Sequence, residues 1–166
     1  MVANSAMNRE RRLEGVNSYQ RELGFSPFDE LTELLTNRNC APVAWLDVGC
    51  GRGRAVVEAA QRAREAGLAD RIALVGLDLV DFFDPMDEPL PGLELVCASV
   101  GSWEPSRTFE LITSAHSLHY VGDNLGVLSR MARWLTADVG DEAVLTYDTS
   151  LAPPTTSASV IPMPPD

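Results

Sequence analysis

Two apolar periods alternate along the chain, and together they predict its elements. Residues 43–48 form a short, largely apolar run, and 72–77 is apolar on both faces, as a central strand of a parallel sheet covered by helices on both sides requires. Shorter runs at 93–97, 109–113 and 143–147 predict three more strands. Between them the period lengthens. Residues 54–66 are alanine-rich, of helical period and closed by Gly67, while 124–135 form a helix that Asp123 can cap, with Leu125, Leu128, Met131, Ala132 and Leu135 as its inner stripe. Upstream, 9–23 read as a helix with Val16, Tyr19 and Leu23 on one stripe and Gly24 as its stop. A second helix starts at Ser26, which can cap it, with Pro27 in its first turn, Asp29 and Glu30 complementing the dipole, and Phe28, Leu31, Leu34 and Leu35 as its buried face. Residues 81–92, with three prolines, read as a loop, and the Pro/Ser/Thr-rich 149–166 as a disordered tail.

Strands alternating with helices give an α/β, doubly wound, mostly parallel sheet, whose ligands lie at the carboxyl ends of the strands. The predicted organisation is cap helices and a connector over 1–42, one Rossmann-like domain over 43–148, and the tail over 149–166.

Charge narrows the ligand. The formal net charge is −11, so the surface has little to offer a nucleic acid or an anionic membrane, and a small molecule is the expected partner. Cys40, Cys50 and Cys97 have no metal-like spacing, and Cys50 and Cys97 sit in apolar runs; they read as core thiols, with no metal site expected. With no apolar segment of signal-peptide or membrane-spanning character, the expected setting is cytoplasmic.

The candidate chemistry starts at Trp45-Leu-Asp-Val-Gly-Cys-Gly-Arg-Gly53, a strand that ends in an acid and opens into glycines at 49, 51 and 53. Such a loop serves either a dinucleotide or a nucleoside carrying an amino-acid tail. A dinucleotide pyrophosphate rests on the helix N-terminus, and its third glycine follows the second by three positions. Here the spacing is two, and the Asp47 carboxylate would repel a pyrophosphate but attract an ammonium group. Asp78, ending the second strand, is placed for ribose hydroxyls, which both ligands carry.

With these residues in view, the chain resembles the class I S-adenosylmethionine-dependent methyltransferases of small-molecule, bacterial-like type. WLDVGCGRG resembles the family's first motif, ALVGLDLVDFF the second, LELVCASVGSWEP the segment after strand three, FELITSAHSLHYVGD the fourth, and MARWLTADVGDEAVLTYD the later helix and fifth strand. The resemblance implies strand order 3-2-1-4-5 and S-adenosylmethionine as cofactor. It also implies that Gly49, Cys50, Gly51 and Gly53 line the methionine part, that Asp47 faces its ammonium, and that Asp78 binds the ribose diol. Leu79 would pack on the adenine, Ser99 and Val100 would edge its amino group, His116 would lie along the methionine tail, and Tyr19 would contact the donor site from the N-terminal cap.

Two departures stand out. Ser99 occupies a place where the family often has an acid, and a hydroxyl accepts the adenine bond more weakly than a carboxylate. Family members also continue past strand five through a helix and an antiparallel pair of strands, for which this sequence has no counterpart. The expectation is an open sheet edge that a second copy or a partner covers.

Methyl transfer from a sulfonium is an in-line displacement that mainly requires alignment and exclusion of water. His116 and His119 are the candidate bases for an acceptor that must lose a proton. The competing expectations are a non-catalytic cofactor-binding module and, behind it, an NAD-dependent oxidoreductase.

Overall fold

The computed structural model describes residues 10–37, 41–115, 117, 118 and 121–136, together with the backbone of 144–147. In chain order the elements are α1 (Tyr19–Leu23), α2 (Pro27–Asn37), β1 (Val43–Val48), α3 (Arg54–Glu65), β2 (Ile72–Asp78), β3 (Leu93–Cys97), β4 (Leu111–Ser114), α4 (Asn124–Trp134) and β5 (Val144–Tyr147). The five strands form one sheet in the order β3-β2-β1-β4-β5, as expected. Every pairing is parallel, with Asp47 opposite Gly76 on one side and Thr113 on the other. No antiparallel pair occurs among the described residues. The predicted tail lies outside them.

β1 is central and wholly buried, so alternate residues feed two cores. Val43 and Trp45 face one side with Ile72, Leu74 and Leu111, covered by Leu31, Leu34 and Leu35 of α2 and by Ala55, Val56, Ala59, Ala60 and Ala63 of α3. Ala44, Leu46 and Val48 face the other side with Val75, Leu77, Phe109 and Ile112, covered by Val127, Met131 and Trp134 of α4. The small residues of α3 let it lie close to the sheet: a Cβ on Gly76 would come within 3.0 Å of the Cys50 sulfur and 3.1 Å of Val56.

The N-terminal helix is much shorter than the pattern predicts. From residue 10 the chain turns, forms a bridge between Arg12 and Ser18, and becomes helical only at Tyr19. Gly15 takes a φ of 109°, which interrupts a helix, and Ser18 is the true N-cap, its hydroxyl oxygen accepting from Arg21 N–H at 3.3 Å. Leu13, not Val16, is the buried residue of this stretch, and Val16 is 82% exposed. Glu58 on α3 holds the segment by accepting from Leu13 N–H at 2.9 Å and from Arg12 at 3.0 Å. The Gly24 stop and the Ser26 start agree with expectation.

Two further elements differ. In α4 the Asp123 cap and the start at Asn124 are as expected, but the buried positions are Val127, Met131 and Trp134, with Leu128 partly buried beside them, and Leu125 is 78% exposed. β4 starts two residues late because the Glu110 carboxylate takes over a ladder bond, accepting from Ala44 N–H at 2.6 Å. Phe109 instead pairs with the segment after α4, donating to Trp134 and accepting from Thr136.

Two left-handed glycines give a direct test of this packing. Gly67 (φ 69°) faces open space, whereas a Cβ on Gly92 (φ 78°) would meet the Ala69 carbonyl oxygen at 2.9 Å and the Ile72 carbonyl still more closely. Gly67→Ala should cost about 1–2 kcal/mol, the left-handed penalty alone, and Gly92→Ala should cost clearly more. Urea denaturation of the two variants checks the ranking, and equal losses would contradict it.

Candidate functional site

The three loop glycines all adopt left-handed conformations, with φ of 76°, 60° and 77° at Gly49, Gly51 and Gly53, which explains why this turn is built from glycine. Its amides are already committed. Gly49 and Cys50 N–H groups donate to the Leu77 carbonyl at 2.7 and 3.2 Å, and Gly53 N–H donates to Cys50 at 3.0 Å. Gly51 N–H donates to the Asp78 carboxylate at 2.8 Å. The other Asp78 oxygen accepts from Val80 N–H at 3.1 Å, so the carboxylate is fixed beside the loop.

Asp47 lies beneath this loop on β1 and is 1% exposed. The Tyr19 hydroxyl lies 2.7 Å from Oδ1 and 2.6 Å from Oδ2. Thr113, one strand over, donates to Oδ1 at 2.8 Å and accepts from the Trp45 indole N–H at 2.8 Å. Burial is the main force on this carboxyl and raises its pKa from 3.8 to about 6, against the opposing hydrogen bonds from Tyr19 and Thr113 and the charge of Arg11. Burial also pushes the Tyr19 hydroxyl and the Cys50 thiol well above their ordinary values, with the Asp47 charge adding to both.

The expected residues gather at the carboxyl ends of β1, β2 and β3. Leu79, 70% exposed, follows Asp78 and offers an open apolar side chain beside it. Val100 packs against the α4-side core, and Ser99 uses its side-chain oxygen to accept from Gly101 N–H at 3.3 Å. The Cys50 thiol is turned inward against Gly76, as a core thiol, leaving its backbone to the loop, whereas Cys97 at the end of β3 is exposed and is not the core thiol expected. His116 and His119 lie outside the described residues.

Several participants carried no obvious signal in the sequence. Thr113 is a polar residue in a buried strand, and that polarity was the available clue. Ser117 sits over Gly49, where a Cβ would collide with it, and donates to the Val48 carbonyl at 2.9 Å. Asp84, hidden in the proline-rich loop, bridges Arg52 and Arg54 at 2.6 Å each. α3 starts without a side-chain cap or an acid in its first turn, so Asp84 supplies the negative charge its N-terminus lacks. Among the described residues no group of His, Cys, Asp and Glu could hold a metal ion, and no helix is long and apolar enough to cross a membrane.

The amino-acid sequence that builds this site is matched by a family model. Residues 18–155 match the model described as a methyltransferase domain. The chain belongs to that family. Solved structures agree with the fold of this methyltransferase domain. A plantazolicin methyltransferase, BpumL, in complex with a triazolic desmethylPZN analog and SAH, superposes with a TM-score of 0.59 at 12% identity, over 88% of this chain and 50% of that one. CalS10, an amino pentose methyltransferase from Micromonospora echinaspora bound to SAM, gives 0.50 at 20% identity over 89% and 55%. The methyltransferase domain thus spans about half the length of these structures. No curated protein matches it in sequence.

The raised carboxyl makes a stability prediction. Asp47 binds its proton more tightly folded than unfolded, so the stability that proton confers is complete below about pH 4 and lost as pH rises through about 6. Asp47→Asn should remove a fall on the order of 3 kcal/mol across that window and leave the domain more stable than wild type at pH 7. Chemical denaturation from pH 4 to 7 measures this, and an unchanged slope in the variant would contradict it.

Proposed function

We propose that this domain transfers a methyl group from S-adenosylmethionine to a small-molecule acceptor. The observation that carries the proposal is the state of the glycine turn. Gly49, Cys50, Gly51 and Gly53 all spend their N–H groups inside the protein, one of them on a carboxylate. A pyrophosphate would find no free cradle at these four amides and two acids beside it, which disfavours a dinucleotide. A donor with a cationic amino-acid end and a neutral nucleoside meets the opposite conditions. Its ammonium is matched by Asp47, and its ribose diol by Asp78, whose oxygens keep lone pairs after accepting from Gly51 and Val80.

The residues fit this donor along its length. Leu79, exposed after Asp78, is assigned to the adenine face, and Ser99 and Val100 are assigned to its edge. Gly49 and Gly51 allow the backbone close approach. The donor supplies an electrophilic methyl on a sulfonium. The protein's task is to align it and keep water away, and where the acceptor gives up a proton on attack, His116 and His119 are the bases we assign. That the solved relatives carry SAM or SAH and act on small molecules, an amino pentose among them by name, supports the same chemistry here.

Isothermal titration with S-adenosylhomocysteine tests the proposal. Wild type should bind, and Asp78→Ala should weaken binding at least tenfold through loss of charge-assisted hydrogen bonds to the diol. No binding by folded protein, or binding of NAD instead, would contradict it. Donor binding without methyl transfer to a broad panel of amines, hydroxyls and thiols would identify a non-catalytic donor-binding module.

A further inference from the structure

The geometry points to Tyr19 as a positioning residue that acts on the donor through Asp47, by fixing the plane of its carboxylate so that the oxygen not bonded to Thr113 is held for the ammonium group. The inference rests on the donor proposed above. It differs from a direct contact between Tyr19 and the donor, and the hydrogen-bond directions give its basis.

The Trp45 indole N–H can only donate, and it donates to Thr113 Oγ1. That leaves the Thr113 hydroxyl proton to point at Asp47 Oδ1. Oδ1 therefore has two donors, Thr113 and Tyr19, whereas Oδ2 has Tyr19 alone among the described residues. Oδ2 is the oxygen with capacity left for an ammonium group or for a water that bridges to it. A hydroxyl near-equidistant from both oxygens prevents the carboxylate from rotating, because any turn about its Cβ–Cγ bond lengthens one of the two bonds. It also holds the negative charge in place. With its one proton given to Asp47 inside a closed pocket, the Tyr19 hydroxyl is occupied.

The placement of Tyr19 does not depend on this bond. Its ring packs edge-on against Trp45 at 6.0 Å and 79°, Arg11 lies 5.8 Å over it, and Arg11 is paired with Glu22 at 2.8 Å. The segment before α1 is tied to α3 through Arg12 and Glu58. Tyr19→Phe therefore removes a hydroxyl and leaves the ring, the segment and the fold.

Among the described residues, the charged and titratable groups facing Asp47 are Tyr19 from α1, Arg11 from the preceding segment, Cys50 from the loop and Asp78 from β2. Tyr19 and Cys50 are pushed upward and stay neutral through the acidic and neutral range. Arg11 favours the Asp47 carboxylate and Asp78 opposes it. Removal of the Tyr19 hydrogen bond leaves burial less opposed, so the Asp47 midpoint must move up from about 6.

Two measurements on full-length wild type, Tyr19→Phe and Asp47→Asn test this. The first is the carbon-13 titration of the Asp47 carboxyl by NMR without ligand. The second is the affinity for S-adenosylhomocysteine from pH 5 to 7.5. Wild type should titrate near 6 and bind more weakly below that pH. Tyr19→Phe should titrate a unit or more higher and lose roughly threefold to tenfold in affinity at pH 6.5, with the gap closing toward pH 7.5. Asp47→Asn should bind weakly at every pH. A Tyr19→Phe loss of equal size at every pH would overturn the inference in favour of direct donor contact, and an unmoved carboxyl midpoint would overturn the Tyr19 to Asp47 link by itself. Wild type that shows the carboxyl shift but binds no S-adenosylhomocysteine at any pH would overturn the donor, and the inference with it, while separating that failure from the first.

Discussion

A carboxylate buried on the central strand of a parallel sheet is the constraint around which this domain is arranged. Desolvating Asp47 is costly, and the cost is met by a hydroxyl from the N-terminal segment, a hydroxyl from β4 and the charge of Arg11. They come from two distant parts of the chain, the N-terminal segment and β4. The bonds fix where α1 sits against β1, where β4 sits in register, and which way the Trp45 indole points. A folded state that keeps such a group against a raised pKa gives up stability at neutral pH, and sites of this kind are where function is expected.

The two faces of the sheet divide the work. On the α4 side Leu46, Ile112, Met131 and Trp134 form an apolar cluster. On the α2 and α3 side the sheet carries Asp47 and Thr113, and Tyr19 of α1 reaches them through an otherwise apolar layer. The small residues of α3 bring the glycine turn close to the sheet, and Asp84 balances the two arginines that would otherwise oppose the dipole at that helix's start. The turn is closed by its own hydrogen bonds and by a carboxylate, so it approaches a ligand as bare backbone surface and not as a set of open donors.

Much of this was legible in the sequence because the relevant signals are local. The apolar runs 43–48 and 72–77, the alternating helices and the glycines at 49, 51 and 53 gave the sheet and the turn, and the family resemblance implied the strand order. What failed was phase and partnership. Val16 and Leu125 fit a helical stripe in the sequence, but Gly15 interrupts the first helix, and in the last one Val127 and Trp134 take the buried face while Leu125 is exposed. Glu110 looked like a strand residue and instead replaces a ladder bond with its side chain. Thr113, Ser117 and Asp84 meet their partners across sequence separations of 66, 69 and about 30 residues, and no periodicity reports such contacts. Asp47 was picked out for its charge and its place before the glycines, and Tyr19 through the family resemblance; that the two are hydrogen-bonded to each other was not legible.

The most direct test of the Asp47 assignment is the proton released when donor binds. At pH 6 the buried carboxyl is about half protonated, and pairing with an ammonium requires its ionised form. Calorimetric titration of S-adenosylhomocysteine in buffers of different ionisation enthalpy should therefore show about half a proton released per site at pH 6, vanishing by pH 7.5. Binding with no proton released at pH 6 would contradict the pairing of Asp47 with the donor.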